Sequence, residues 1–258
     1  MGGVLLPLAS ERWIDLDGTV NARAVVPGVL LRADNLQALT AADVARLREQ
    51  HGVEVVVDLR TGVELELEGP GPLTREPAIR IEHRSLHPES GGQTDLDVDT
   101  VRPWGDGIGE DLPGESPLVR AYLGYLRRRP DSIVGAIRTI AGERGAVLVH
   151  CAAGKDRTGV VVGLALDAAG ADREAIAADY MATAERIVAI MERLVSSETY
   201  RAELEGHDPH RHAPQPGTME RVLELVDERH GGSAAWLRKH GLAEDDLARL
   251  RGRLRATG

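Results

Sequence analysis

The chain's only cysteine, Cys151, opens the run Cys151-Ala152-Ala153-Gly154-Lys155-Asp156-Arg157-Thr158-Gly159, directly after His150. A thiol followed six positions later by a guanidinium, across small residues, suits phosphoryl chemistry. The small residues let the backbone curl so that successive N–H groups of Ala152, Ala153, Gly154 and Lys155 point inward and cradle an anion. A helix expected from about Arg157 adds its positive end. Both favour a thiolate nucleophile at Cys151. The planar fork of Arg157 matches two phosphoryl oxygens and the charge that develops in transfer. Thr158 can donate a hydroxyl hydrogen bond to the sulfur as it leaves. Gly154 permits a backbone conformation or a close approach that a Cβ would block.

Competing chemistries fit less well. A nucleotide-binding P-loop needs Ser or Thr after Gly-Lys, but Asp156 follows, and its required first glycine is Val149. A rhodanese-like sulfur carrier or an arsenate reductase can also use a cysteine loop with an arginine. Neither calls for the full run from His150 to Gly159. One cysteine excludes a disulfide within the chain and a multi-cysteine zinc site. His207, His210 and His212 lie close together, but Pro209 interrupts them and Arg211 adds a cation. A polar loop between helices is expected there, with no metal.

The loop needs a strand behind it and a helix ahead. Ala146–His150 is a buried-type strand, and an apolar helix follows over Val160–Ala169. Val53–Asp58 is a second such strand, and Ala78–His83 alternates Ile79 and Ile81 with Arg80 and Glu82 as a third. Thr40 caps a helix over about 41–50 with Asp43 as its reciprocal partner, and Gly52 stops it. Residues 10–36 read as an irregular opening segment. Helical spacing covers 118–129, then continues after Pro130 with Ile133, Ile137 and Ile140 on one face. Asp172 opens a helical stretch to Ser197, and helices resume at about 218–229, 233–239 and 243–255. Strands alternating with helices, followed by a helical C-terminal half, give an α/β fold with one central sheet flanked by helices.

Residues 1–258 read as a single domain carrying one insertion at about 88–117. That segment has six Gly, several Pro and eight acids against Arg102, so it holds −7 of the chain's net −10. A solvated loop or an active-site lid is expected. The net charge argues against nucleic acid as the main partner. No uncharged run approaches the ~18–20 residues of a membrane helix, and the first residues lack a signal peptide's basic segment, so a cytoplasmic protein without integral membrane association is expected. Lysine is scarce, with only Lys155 and Lys239 against 29 arginines, which makes the lysine inside the loop notable.

The run His-Cys-x-x-Gly-Lys-Asp-Arg-Thr-Gly resembles the signature of the cysteine-dependent protein tyrosine phosphatase superfamily, in the form of its bacterial tyrosine and dual-specificity branch. The likeness continues in Leu31-Arg32-Ala33-Asp34-Asn35-Leu36, in Gly52 to Asp58-Leu59-Arg60, in Ile176 to Met181, and in Gly231-Gly232, Trp236-Leu237 and Gly241-Leu242. Two positions depart from it. Asn21-Ala22-Arg23-Ala24 stands where Asn-Phe-Arg-Asp is usual, and His230 replaces a common Tyr. The resemblance implies a tyrosine-phosphatase-like α/β fold and metal-free, cofactor-free hydrolysis of phosphomonoesters through a phosphocysteine on Cys151. Phosphotyrosine in proteins is the leading substrate, with possible phosphoserine/threonine activity. A small metabolite, nucleotide or phosphoinositide phosphate is the alternative, and a non-catalytic phosphate-binding module is the weakest reading. A general acid must protonate the leaving oxygen. The signature points to Asp156, with Glu89 and Asp106 of the insertion as rivals. Lys155 either adds charge for multiply phosphorylated substrates or pairs with Asp156. Arg60 and Arg128 could approach the pocket rim, Arg60 more naturally bracing the strand ends.

Overall fold

The computed structural model describes residues 12–87 and 111–255. Five strands form one sheet in the order β1-β2-β5-β3-β4. They are β1 (Arg23–Val26), β2 (Leu30–Ala33), β3 (Val53–Asp58), β4 (Arg80–His83) and β5 (Ala146–His150). β1 runs antiparallel to β2, and the other pairs are parallel. Alternation in the central strands explains the two-sided core. Val55 and Val57 of β3, with Val147 and Val149 of β5, enter one cluster, while Val53, Val56, Ala146 and Leu148 enter the other. Both faces are apolar because both are covered, as parallel strands require.

The smaller face is covered by α1 (Ala41–Glu49), whose Leu47 is fully buried. Its capping box is present as expected: the Thr40 hydroxyl accepts from the Asp43 N–H, and the Asp43 carboxylate accepts from the Thr40 N–H. The larger face carries α3 (Pro117–Arg128), α4 (Pro130–Gly142) and the long α5 (Asp156–Ala169). Ile133, Ile137 and Ile140 are fully buried against it. The C-terminal half is helical: α6 (Arg173–Ala182), α7 (Ile187–Ser196), α8 (Glu198–Leu204), α9 (Thr218–His230), α10 (Ser233–Lys239) and α11 (Glu244–Arg255). No helix among the described residues is long and apolar enough to cross a membrane.

Three local expectations need correction. The opening segment is not irregular: it holds the β1–β2 hairpin, turned at Gly28 with φ +68°. Its alternation is concealed because Arg23 and Arg32 are buried where apolar residues would normally be. The stretch from 172 to 197 is two helices, separated by a 3₁₀ turn at Thr183–Arg186. β4 begins only at Arg80 and is an edge strand, so Ile79 is buried while Ile81 stands 40% exposed. Two helices were not anticipated: α8, which begins beyond Ser197, and one between β3 and β4. α2 (Gly62–Glu68) has the sequence GVELELE, which alternates with a strand's period, yet a Thr61/Glu64 capping box makes it helical.

Candidate active site

β5 ends at His150, α5 begins at Asp156, and the turn between them is shaped by what takes its carbonyls. The Asn35 N–H donates to the Ala152 carbonyl at 2.9 Å. The Asn21 amide donates to the Ala153 carbonyl at 2.9 Å, and the Arg32 guanidinium to the Gly154 carbonyl at 2.7 Å. The Gly159 N–H takes the Lys155 carbonyl at 2.8 Å. With the carbonyls drawn outward, the peptide planes aim their N–H groups the other way. Among the described residues, the N–H groups of Ala152, Ala153, Gly154 and Lys155 donate to no acceptor. This is the geometry of an anion cradle at a helix N-terminus. Gly154 is required twice over: its φ is +64°, and a Cβ there would collide with the Ala33 carbonyl.

The outward pull rests on a buried charge cluster. Asp179 of α6 accepts from Arg23 Nε at 3.0 Å and from Arg32 at 2.5 Å. Burial alone would raise its carboxyl, but the two guanidinium groups hold it down at about 2. Burial and the neighbouring Arg32 lower Arg23 to about 10, so it remains charged at neutral pH. Asp179→Asn leaves two buried cations without their counter-charge and is expected to cost about 3–5 kcal/mol in a urea melt. The native Asp179 has a depressed pKa, so its stabilisation is complete above about pH 4 and is lost as pH falls through about 2. The Asn variant should lack that acid limb; an unchanged melt would disprove this bracing role.

Cys151 is buried at the base of a cavity of about 100 Å³. The Thr158 hydroxyl donates to its Sγ at 3.2 Å. Arg157 is held by an element that sequence reasoning missed. Its NH1 and NH2 donate to Glu64 Oε2 and Oε1 at 2.5 and 2.9 Å. Burial opposes ionisation of Glu64, yet the charge and hydrogen bonds of Arg157 bring its carboxyl down to about 2. The spacing Thr61-x-x-Glu64 was the available signal, since it is a helix-start pattern. Tyr200 of α8 also donates to Glu64 Oε1, at 3.0 Å. Leu194 of α7 and Tyr200 and Leu204 of α8 line the cavity opposite the loop, with Val63 and Leu67 of α2 and Tyr125 of α3. His87 lines it too, and burial, reinforced by Arg157, lowers its imidazole to about 3, so it is uncharged at neutral pH.

Asp156 lines the same cavity. Its Oδ1 accepts from the Tyr122 hydroxyl at 2.6 Å and lies 3.5 Å from Lys155 Nζ. Lys155 is not among the residues lining the cavity: its Nζ donates to the His212 carbonyl at 2.5 Å. That contact also gives the His-rich segment its place, a 3₁₀ turn at Pro209–His212 beside the loop. Of the remaining loop residues, Ala152 and Ala153 line the cavity, whereas Gly154 and Thr158 act from behind it. Arg60 does not line it and braces the strand ends, pairing with Asp58 at 2.6 Å, while Asp58 also lies 3.3 Å from His150. Arg128 does not line it either. Glu89 and Asp106, with most of the acidic insertion, lie outside the described residues.

Comparison with known proteins agrees with this geometry. Residues 15–256 match the model of a family described as the tyrosine phosphatase family. The chain is 29% identical over 248 residues to a tyrosine-protein phosphatase of Nostoc commune, covering 92% of this chain and 78% of that protein. It is also 29% identical over 276 residues to the triple specificity protein phosphatase PtpB of Mycobacterium tuberculosis, covering 93% of this chain and 95% of the relative.

Proposed function

The chain belongs to the tyrosine phosphatase family and is a cysteine-dependent phosphatase working through a phosphocysteine, and we propose that it acts on phosphotyrosine in proteins. The observation that carries this reading is the cavity wall. Tyr125, Tyr200, Leu194, Leu204, Val63 and Leu67 surround Cys151 with surface suited to an aromatic ring. Among the described residues lining the cavity, Arg157 is the only cation. One guanidinium and one cradle suit a single phosphoryl group, and the acidic residues Asp156, Glu64 and Glu203 around it leave no surplus positive charge for a polyanionic headgroup. We take residues 1–258 as one catalytic unit, in line with a family match running over 15–256. We place it in the cytoplasm, where a free nucleophilic thiol stays reduced.

The residue roles follow the geometry. The Cys151 sulfur attacks phosphorus while the bond to the leaving oxygen breaks, and Asp156 gives that oxygen a proton. Water then attacks phosphorus, Asp156 takes a proton from it, and the S–P bond breaks. Thr158, already hydrogen-bonded to Sγ, stabilises the departing thiolate. The loop N–H groups and Arg157 hold the equatorial oxygens throughout.

A substrate panel tests the reading. A phosphotyrosine peptide should exceed a phosphoserine peptide, a phosphoinositide and small phosphate monoesters in kcat/KM by about tenfold or more, the scale on which a well-matched pocket discriminates. A metabolite or phosphoinositide turned over faster than the peptide would overturn it.

A further inference from the structure

The mechanism uses one oxygen of Asp156, and the buried surroundings of that carboxylate distinguish between its two oxygens. Tyr122 of α3 and Tyr180 of α6 are both buried, and their hydroxyls lie 2.8 Å apart. The Tyr122 hydroxyl donates its proton to Asp156 Oδ1 at 2.6 Å, so its own oxygen is left to accept from Tyr180. The result is a three-member chain running from Tyr180 through Tyr122 to Asp156. Burial, followed by the nearby Asp156 charge, raises both phenols above their ordinary range, so both remain protonated donors at any working pH. Lys155 Nζ faces the same oxygen at 3.5 Å. Among the described residues, Oδ2 has no hydrogen-bond partner.

We propose that Tyr122, backed by Tyr180, is the positioning residue of the general acid: it occupies Oδ1, so the transferable proton rides on Oδ2. An oxygen that accepts a hydrogen bond from a phenol and faces an ammonium group is the poorer site for a proton. The acid therefore carries it on the other oxygen, whose freedom from protein partners leaves it available to substrate. In the first step the proton passes from Oδ2 to the leaving oxygen as the P–O bond breaks. In the second, Oδ2 receives a proton from the attacking water as the S–P bond breaks. Oδ1 keeps its hydrogen bond in both protonation states, so the carboxylate need not rotate between steps. A satisfied chain of buried hydroxyls also holds such a group more rigidly than a single bond does. This inference rests on the assignment of Asp156 as the acid.

The test separates the two claims. Tyr122→Phe keeps the buried ring and removes only the donor. Read here and below in kcat/KM, which reports only the steps up to formation of the phosphocysteine, it is expected to act on p-nitrophenyl phosphate, whose leaving group needs little protonation, within about threefold of the native enzyme. On a phosphotyrosine peptide it should be about tenfold slower, the scale of one hydrogen bond to a charged group. Tyr180→Phe removes the donor behind Tyr122 and should fall between native and Tyr122→Phe on the peptide; this gives a second reading should Tyr122→Phe fold poorly. Asp156→Asn should lose about 10²–10⁴-fold on the peptide and far less on p-nitrophenyl phosphate. Adding Tyr122→Phe to Asp156→Asn should cost nothing more, because the two act through one carboxylate. Leaving-group dependence in Asp156→Asn but in neither Phe variant would overturn the positioning role alone. Equal slowing of both substrates by Tyr122→Phe, or full additivity in the double variant, would reduce Tyr122 to a structural residue and overturn it too. Absence of leaving-group dependence in Asp156→Asn itself would remove the acid from Asp156, and the positioning role with it.

Discussion

Cys151→Ser is expected to abolish phosphatase turnover while leaving phosphate binding in place. The substitution changes one atom in a cradle whose other parts are held independently. The carbonyls of Ala152, Ala153 and Gly154 are drawn back by Asn35, Asn21 and Arg32, none of which touches the sulfur. Arg157 is oriented by Glu64 and not by Cys151. The anion site should therefore persist, with inorganic phosphate binding by calorimetry within about tenfold of the native affinity, since no charged hydrogen-bond donor is lost. A serine hydroxyl in the same place is a poor nucleophile, because it is far less acidic than a thiol and, among the described residues, no base is hydrogen-bonded to that position. Thr158, which donates to Sγ at 3.2 Å, offers a donor where a general base would be needed. Turnover clearly above buffer in the Ser variant would refute covalent catalysis by Cys151. Loss of phosphate binding would instead mean that the cradle depends on the sulfur.

The parts of this site that could be read in the sequence are those whose chemistry is contiguous. Nine residues from Cys151 to Gly159 carry nucleophile, glycine, guanidinium and hydroxyl, and their order is enough to place them on a turn between strand and helix. The capping box of α1 and the β-branched runs of β3 and β5 were legible for the same reason, because local pattern and tertiary environment agree there. What could not be read is what arrives from far away. Arg23 and Arg32 make a poor strand pattern by themselves. They are buried only because Asp179, 156 and 147 positions later, meets them inside the fold. α2 alternates Val63, Leu65 and Leu67 with glutamates, and none of these apolar residues is buried. Nothing in that period reveals that Glu64 reaches Arg157, 93 positions away. Tyr122 is similar: in the sequence it is one more apolar position on α3, and its hydroxyl gains meaning only when α5 places Asp156 against it.

Arg157→Lys should lower kcat on phosphotyrosine peptide by about a hundredfold or more, the usual consequence of removing a transition-state donor from a preorganised site. The charge is kept, so the loss measures geometry. In the structure one N–H from each terminal nitrogen of Arg157 is committed to Glu64. A guanidinium has five N–H groups in a rigid plane, so three remain for phosphoryl oxygens, in an orientation set by the carboxylate. A lysine ammonium has three donors and no plane. Once one is given to Glu64, the others are free to rotate and cannot reproduce two parallel bonds to phosphorus-bound oxygens. The same reasoning makes Glu64 a positioning residue for the fork. Glu64→Gln keeps one acceptor and loses the charge, and a small misplacement of a catalytic group can cost up to about 10²-fold. Its loss should therefore approach that of Arg157→Lys in kcat, with KM for the peptide changing by less. The double variant should be little worse than Arg157→Lys alone, because without a planar fork there is nothing left for Glu64 to orient. Steady-state kinetics on the three variants decide the matter. A lysine that works nearly as well as arginine would mean that charge alone stabilises the transferring phosphoryl group, and full additivity would mean that Glu64 acts elsewhere.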